Sequence, residues 1–535
     1  MLEISKSVNN IGSTFSSTNP SIYNQFKKDQ DGEVFESVVF DLMLNKYSDD
    51  IELTDYILGL PNDKKRMALL SLIDGDTALW SKMNSYVNEC SDKFAHIKDV
   101  IKIMSKFVKD GEVERKKFGE VMTPLEMVKE MLNTLPKEVW SNPDLKWLDP
   151  CNGAGTFPYV VIYKLMNGLS EWEPDTEKRY KHIVENMIYT CELQSRNVFL
   201  WLCGVDPKNE YTTNSYWGSF LDSEFEYHMK NVWIVEKFDI VIGNPPYQEM
   251  DGGNGASAKP IYNIFTEKTI KISDRVLFIT PSRWFAGGKG LDSFRKNMME
   301  SNKIVLIKHF DDASKIFGNG VDISGGVSYF LYDNNFNGLC NLNDISVDLK
   351  KFDIVVKNPN DINLISKFQK YDNNISKISN PRSYFGIPTK FDKVTDSKIS
   401  DDYVKCYFSK GKGFDKWVDK KDVKKLDSKY RVATPRANGD NPRFGNLFII
   451  EPNECVSDSY ITFYVDTRKE VESLLSYLKC NLTNYLLSLR KISNTVKPDT
   501  CKWIPIVPFD REWTDELLFE YFNLTEDEIN LILER

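Results

Sequence analysis

A chain of 535 residues that is 41% hydrophobic and 27% charged has the composition of a soluble globular protein, which excludes a fibre or a disordered tail, and roughly three domains of about 150 residues are expected. No apolar run reaches the ~18 residues of a membrane helix, and Met1 to Lys6 carries no leader pattern, so a cytoplasmic protein is expected. Nine singly scattered cysteines and four distant histidines give neither a disulfide framework nor metal-ligand spacing; no metal is expected.

In chain order, residues 1–115 are polar with helix-like apolar spacing, as in Ile97-Lys98-Asp99-Val100-Ile101-Lys102-Ile103-Met104, and predict a helical N-terminal region. From 116 to 338, short apolar runs (Trp147-Leu148, Met187-Ile188-Tyr189, Phe238 to Ile242, Val276 to Ile279) alternate with amphipathic stretches, which predicts an α/β domain with a mostly parallel sheet covered on both faces. Asp333 to Gly338 reads as a linker, and residues 339–535 as a further α+β domain ending in an acidic helical tail, Trp513 to Phe522.

Within the α/β part, Asp149-Pro150-Cys151-Asn152-Gly153-Ala154-Gly155 is a tight turn from a strand into a helix beginning near Phe157. Glycines let a ligand approach the backbone, but an acid before the turn repels phosphate and suits a ligand with a positive amino group, such as S-adenosylmethionine. A lone Gly-x-Gly is as often a plain structural turn. Glu192 ends the next strand, where a carboxylate can accept both hydroxyls of a ribose or simply face solvent. It lies 37 residues past Gly155, and the charged stretch Glu171 to Lys181 reads as a surface insertion that lengthens the spacing.

The sharpest signal is Phe238-Asp239-Ile240-Val241-Ile242-Gly243-Asn244-Pro245-Pro246-Tyr247, a buried-type strand opening into a corner stiffened by two prolines. The Asn244 side-chain oxygen and the Pro245 carbonyl can accept from one NH₂ group, and Tyr247 can stack on the ring that bears it. Two acceptors favour the pyramidal amine, whose lone pair can then attack a sulfonium methyl.

On these residues the chain resembles the gamma class of N6-adenine DNA methyltransferases and the methylase plus specificity portion of type IIG restriction-modification enzymes, over roughly residues 116 to 535. The resemblance implies a class I Rossmann-like domain with a seven-stranded, mostly parallel sheet, and a C-terminal target-recognition domain. It implies a site-specific adenine-N6 methyltransferase that uses S-adenosylmethionine on a flipped-out base. It assigns Asn244, Pro245, Pro246 and Tyr247 to catalysis, and Thr123, Pro124, Asp149, Pro150, Gly153, Gly155 and Glu192 to the cofactor. The family places an acid before Phe-Leu after the third strand, whereas this chain reads Ser219-Phe220-Leu221-Asp222, which leaves Ser219, Phe220 and Asp222 as candidates at the cofactor adenine. Tyr262-Asn263-Ile264-Phe265 and Pro281-Ser282-Arg283-Trp284-Phe285 look like the following helix and strand-end motifs, with Phe265 or Trp284 a candidate second face for the base.

The formal net charge of −9 argues against a general nucleic-acid binder, but residues 381 to 450 carry sixteen Lys and Arg against nine Asp. Lys410, Lys412, Lys416, Trp417, Arg431 and Arg436 are the candidates there for phosphate and base-edge contacts, with Lys424, Lys425 and Lys429 beside them. Double-stranded DNA is the expected partner, and the resemblance would add a separate cognate restriction endonuclease. The rival readings are a protein glutamine methyltransferase, a bifunctional type IIG enzyme whose nuclease would lie before residue 116, with Glu114-Arg115-Lys116 the best carboxylate-x-lysine candidate, and a non-enzymatic DNA-binding protein.

Overall fold

A computed structural model describes residues 122–534 apart from 194–196, 199–200, 202–203, 207–210, 250–258, 287, 289, 319–322, 324, 410–413, 440 and 492–494. The expected N-terminal helical region, the Glu114-Arg115-Lys116 tripeptide, Lys410 and Lys412 lie outside the described residues. No helix among those described is long and apolar enough to cross a membrane. They form two compact units: the first ends at Asp348 and excludes 282–296 and 324–326, which belong with Leu349 onward in the second.

The first unit is built on a nine-stranded sheet in the order β3-β2-β1-β4-β5-β7-β6-β8-β9. Its strands are β1 (Trp147–Asp149), β2 (Ile188–Glu192), β3 (Asn214–Trp217), β4 (Phe238–Gly243), β5 (Ser273–Pro281), β6 (Ile304–Phe310), β7 (Val327–Asp333), β8 (Cys340–Leu342) and β9 (Ile345–Val347). Strands β1 to β5 pair in parallel, and β7 is inserted antiparallel between β5 and β6. The apolar runs read from the sequence are the central strands, and all three residues of β1 are buried, as a sheet covered on both faces requires.

Nine strands replace the expected seven. The additional pair is the β8–β9 hairpin, which joins the edge through β6, in register Leu306↔Asn341 and Ile307↔Leu342. The polar cluster Asp333 to Gly338 therefore connects two strands of one sheet instead of ending it. Asn334 holds the connection by donating its side-chain amide to the carbonyls of Ile270 (2.9 Å) and Ser273 (2.8 Å).

Helix α1 (Leu125–Leu132) packs on α2 (Thr156–Gly168) through a shared apolar core that includes Val128, Met131, Val161 and Leu165. Helix α1 is also tied to the sheet, because the Tyr329 hydroxyl donates to Glu130 at 2.9 Å. The stretch expected as a surface insertion holds α3 (Thr176–His182), capped by Asp175, and it buries Arg179 and Tyr180. It is thus a packed element as well as a spacer. Helix α4 (Ser223–Asn231) follows β3, and α5 (Tyr262–Ile272) links β4 to β5.

The second unit contains two three-stranded sheets. One is β11 (Asp415–Asp419), β10 (Tyr403–Tyr407) and β14 (Cys455–Val456); the other is β13 (Phe448–Ile450), β12 (Tyr430–Pro435) and β15 (Tyr460–Val465). They share a core that includes Phe385, Ile387, Val418, Ala433 and Ile450. Helices α6 (Arg468–Lys479), opened by a Thr467–Glu470 capping box, and α7 (Asn481–Arg490) follow the strands. The acidic tail is α8 (Asp515–Tyr521), capped by Thr514, and α9 (Glu526–Leu533) closes the chain.

Candidate active site

The chemistry-bearing residues of the first unit collect at the carboxyl ends of its central strands. Asp149 ends β1, and its Oδ1 accepts the Cys151 N–H at 3.1 Å, which starts the turn. Gly153 and Gly155 take φ of +53° and +97°, in the region that favours glycine. They differ in surroundings. A Cβ on Gly155 would stand 2.5 Å from the Trp201 ring and 2.8 Å from that of Tyr159, so the turn rests on these aromatics, whereas a Cβ on Gly153 would meet nothing within 4 Å. The open side of the turn is the side a ligand can approach.

Glu192 reaches this turn directly, its Oε2 accepting the Gly153 N–H at 2.8 Å, while its own carbonyl accepts the Gly218 N–H at 2.9 Å. The carboxylate is therefore fixed at the glycine turn, and the Glu192 main chain at the β3 loop, so the acid is not free in solvent. Burial, with the Glu192 charge adding to it, pushes the Asp149 carboxyl up to about 8 despite the Cys151 N–H. A cation placed beside it would reverse that shift.

Two polar atoms fit a ligand here. The Thr123 hydroxyl and the Asn152 side-chain oxygen are closed to solvent and have no hydrogen-bond partner, and an unpaired buried polar group is costly. Thr123 and Pro124 lead into α1, which packs on the helix that Gly155 caps. Pro150 is buried behind Asp149 in the chain.

Phe220 is 2% exposed, with its ring stacked on Phe265 at 5.3 Å and edge-on to Phe225 at 4.9 Å. Phe265 is thus a packing partner of Phe220. Lys268, which the sequence did not single out, lies 5.2 Å over the Phe220 ring and donates to the Asp222 carbonyl at 3.1 Å. Asp222 is exposed at the start of α4 and its side chain makes no capping bond, while the Ser219 hydroxyl accepts the Leu221 N–H at 3.2 Å.

The two-proline corner stands against the glycine turn. A Cβ on Gly243, the residue before Asn244, would lie 2.8 Å from Asp149 Oδ1 and 3.3 Å from Cys151 Sγ. Only glycine lets β4 approach β1 this closely at the point where the corner begins. Pro245 is buried, whereas Asn244, Pro246 and Tyr247 keep partial exposure, with the Asn244 side-chain oxygen and the Tyr247 hydroxyl themselves closed to solvent. Burial of its hydroxyl raises the Tyr247 phenol well above its usual range, opposed by Asn244 beside it. The chain then folds back: Glu249 donates to the Lys259 carbonyl at 2.9 Å and Ile261 to that of Tyr247 at 3.4 Å, which sets the start of α5, with Tyr262 and Asn263, beside the corner. Gly243 and Trp201, like Asn152 and Lys268, are site residues that sequence reading did not assign. A glycine closing a buried strand directly before Asn-Pro-Pro was the signal for the first; for Trp201 there was no local signal.

In the second unit the basic candidates divide. Arg431 is a core residue, not a DNA contact. It is 1% exposed, donates twice to Asp427 at 2.6 Å, and also to Asn380 (3.0 Å) and the Lys429 carbonyl (3.0 Å). Its guanidinium lies 5.3 Å from the Phe385 ring, so every side is occupied. Lys416 pairs with Asp396, which is 89% exposed, and such surface pairs are weak and exchangeable. Trp417 is half-buried on β11 with its main chain bonded to Thr395 in both directions at 2.9 Å. Lys429 pairs with Asp466, and Lys425 lies 4.9 Å over the Tyr384 ring. Arg436 is half-buried and makes no ion pair among the described residues.

Residues 170–317 match the Eco57I restriction-modification methylase family. The matched segment holds Glu192, Phe220 and the Asn244 corner. A protein of Mycoplasma pneumoniae described as an uncharacterized adenine-specific methylase is 28% identical over 288 residues, covering 41% of this chain and 68% of that protein. Among solved structures, the DrdV–DNA complex is similar over 95% of this chain and 69% of its own, at 12% identity and a TM-score of 0.48. A modification subunit of a putative type I restriction enzyme from Vibrio vulnificus YJ016 is similar over 57% of this chain, at 13% identity and a TM-score of 0.32. The chain spans 61% of that subunit, less than two thirds of its length.

Proposed function

We propose that the chain transfers the methyl group of S-adenosylmethionine to the N6 amine of an adenine flipped out of duplex DNA. The observation that carries this reading is the approach of Gly243 to Asp149, which joins an acceptor-rich corner to a glycine turn suited to a cationic, ribose-bearing ligand. The matched methylase family and the adenine-specific methylase relative support it.

S-adenosylmethionine, when bound, supplies an electrophilic methyl group on a sulfonium. Asp149 is the counter-charge for its ammonium end, Thr123 and Asn152 offer their unpartnered atoms to polar groups there, and Glu192 is the acceptor for the ribose. The Phe220 loop, with Ser219 and Asp222, is the wall nearest the adenine. At the other side, Asn244 Oδ1 and the Pro245 carbonyl accept from the target amine and aim its lone pair, Pro246 keeps the corner stiff, and Tyr247 offers its ring to the base. Catalysis by placement of this kind can contribute about 7–11 kcal/mol without a covalent enzyme intermediate. Extrusion of the base costs a few kcal/mol, which contacts at the corner offset. Lys416 and Trp417 of the second unit are the proposed duplex contacts, and a separate endonuclease is a proposed partner.

Purified protein with methyl-labelled S-adenosylmethionine, offered duplex DNA and a glutamine-bearing protein fragment together, should label the DNA alone. Label in the fragment would instead establish the protein-modifying alternative.

The state of Asp149 gives a separate expectation. With its carboxyl near 8 in the free protein, most of it is protonated at pH 6.5, and binding a ligand ammonium beside it favours the ionised form. Binding should then release close to one proton, read by calorimetry at pH 6.5 in buffers of different ionisation enthalpy. Asp149→Asn should release none. Equal proton release by the two proteins would remove Asp149 from the ligand's charged end.

A further inference from the structure

We propose that Arg436, with Thr434 beside it, is a fixed reader of the acceptor edge of a guanine in the recognition sequence, rather than one of the phosphate contacts that hold the duplex. This rests on the DNA methyltransferase reading above.

Thr434 lies on β12, which ends at Pro435, and Arg436 follows immediately, where the chain bends. The main chain there is clamped on both sides. The Arg436 N–H donates to the Ser459 carbonyl at 2.8 Å, its own carbonyl accepts the Val496 N–H at 2.7 Å, and Ala437 bridges to Thr495. Thr434 is fully buried with its hydroxyl unpartnered, and Arg436 Nε is closed to solvent and equally unpartnered.

The two fully buried arginines described in this unit, Arg431 and Arg490, are ion-paired. Arg431, on β12, holds Asp427, and Arg490 donates to Asp353 at 2.7 Å. Asp458, the carboxylate whose charge Arg436 feels most, accepts instead from the Ser383 hydroxyl at 2.7 Å, and the exposed Arg382 adds charge of the same sign. A half-desolvated guanidinium with no carboxylate hydrogen-bonded to it is costly, and a ligand rich in acceptors would recover that cost.

Both phosphate oxygens and the O6/N7 edge of guanine are such acceptors. Immobilisation decides between them. Phosphate contacts tolerate long, mobile side chains whose charge meets the phosphate as a point, without a fixed geometry. A bidentate contact to O6 and N7 requires a guanidinium fork in a set place, and here the main chain is clamped and Nε is closed to solvent.

The test maps methyladenine in the DNA of cells expressing wild type, Arg436→Ala, Arg436→Lys or Thr434→Val, and measures duplex binding by the purified proteins across a salt series. The wild-type site should contain a guanine at which Arg436→Ala loses discrimination by roughly 5- to 150-fold, the range of one bidentate base contact, while adenine is still methylated. Arg436→Lys keeps the charge and the packed stem, yet should also lose that discrimination, since a point donor cannot make the fork. Thr434→Val should weaken the same position more mildly. The salt slope should not change. An unchanged site preference with a slope shallower by about one charge would make Arg436 a phosphate contact and overturn this inference alone, as would a wild-type site without guanine. Absence of methyladenine with wild type would overturn the methyltransferase reading, and this inference with it.

Discussion

Asn244→Ala is expected to lower methyl transfer to duplex DNA by about 10²- to 10³-fold, the usual effect of deleting one preorganised polar group at a reacting centre, while cofactor affinity stays within about twofold. The two effects separate because the residues divide the work. Asn244 follows β4 and keeps partial exposure, whereas the proposed cofactor groups lie on the turn after β1, on Glu192 and on the segment before α1. An exocyclic amine is a poor nucleophile while its lone pair is delocalised into the ring. Removing one of two acceptors leaves the amine planar more of the time, and nothing else in the corner replaces the lost oxygen. Single-turnover transfer of labelled methyl, with cofactor binding measured separately by calorimetry, checks both halves. Full activity in the variant would remove Asn244 from the chemistry, and parallel loss of cofactor binding would mean that the corner is part of the cofactor pocket instead.

Arg431→Ala is expected to cost about 3–5 kcal/mol of stability, because it leaves Asp427 without the guanidinium it was built around. Burial alone would raise the Asp427 carboxyl, yet hydrogen bonds from Arg431, Tyr384 and the Lys429 N–H hold it below its usual value. Deleting the arginine strands a partly buried carboxylate and opens a hole between the Tyr384 and Phe385 rings and the strand. The melting transition of the second unit should fall by on the order of 10 °C. Measured well below that transition, duplex affinity should be nearly unchanged, the opposite of what a phosphate contact would give. A variant with wild-type melting but weakened, less salt-sensitive DNA binding would return Arg431 to the interface.

Arg431 shows where the sequence stops being informative. It stands in a lysine-rich stretch, and composition gives every cation there the same reading. The strand β12 is buried on both faces from Arg431 to Thr434, and the elements that cover it, such as β15, are set by residues far along the chain. The β8–β9 hairpin was hidden for a related reason. Its strands, Cys340-Asn341-Leu342 and Ile345-Ser346-Val347, alternate apolar and polar for only three residues each, too short for a period to stand out, and the Asn and Gly of the preceding turn imitate a linker. Pairing with β6, which only the folded chain reveals, makes them strands.

The central strands and the corner were legible because their causes are local. A strand buried on both faces must be apolar throughout, a turn with positive φ needs glycine, and two adjacent prolines fix a rigid bend wherever they occur. Glu192 was legible as an acid at a strand end, though its bond to the Gly153 N–H was not. Phe220 and Phe265 lay between these cases. Their motifs were visible 45 positions apart, but that the two rings stack on each other is a tertiary relation with no local trace.

Nucleoside analysis by mass spectrometry of DNA from cells expressing the protein tests the account most directly. The corner beside Asp149 should yield N6-methyladenine that disappears in the Asn244→Ala strain. DNA with only unmodified bases, or with the methyl group on cytosine, would show that the amine held by these acceptors is not that of adenine.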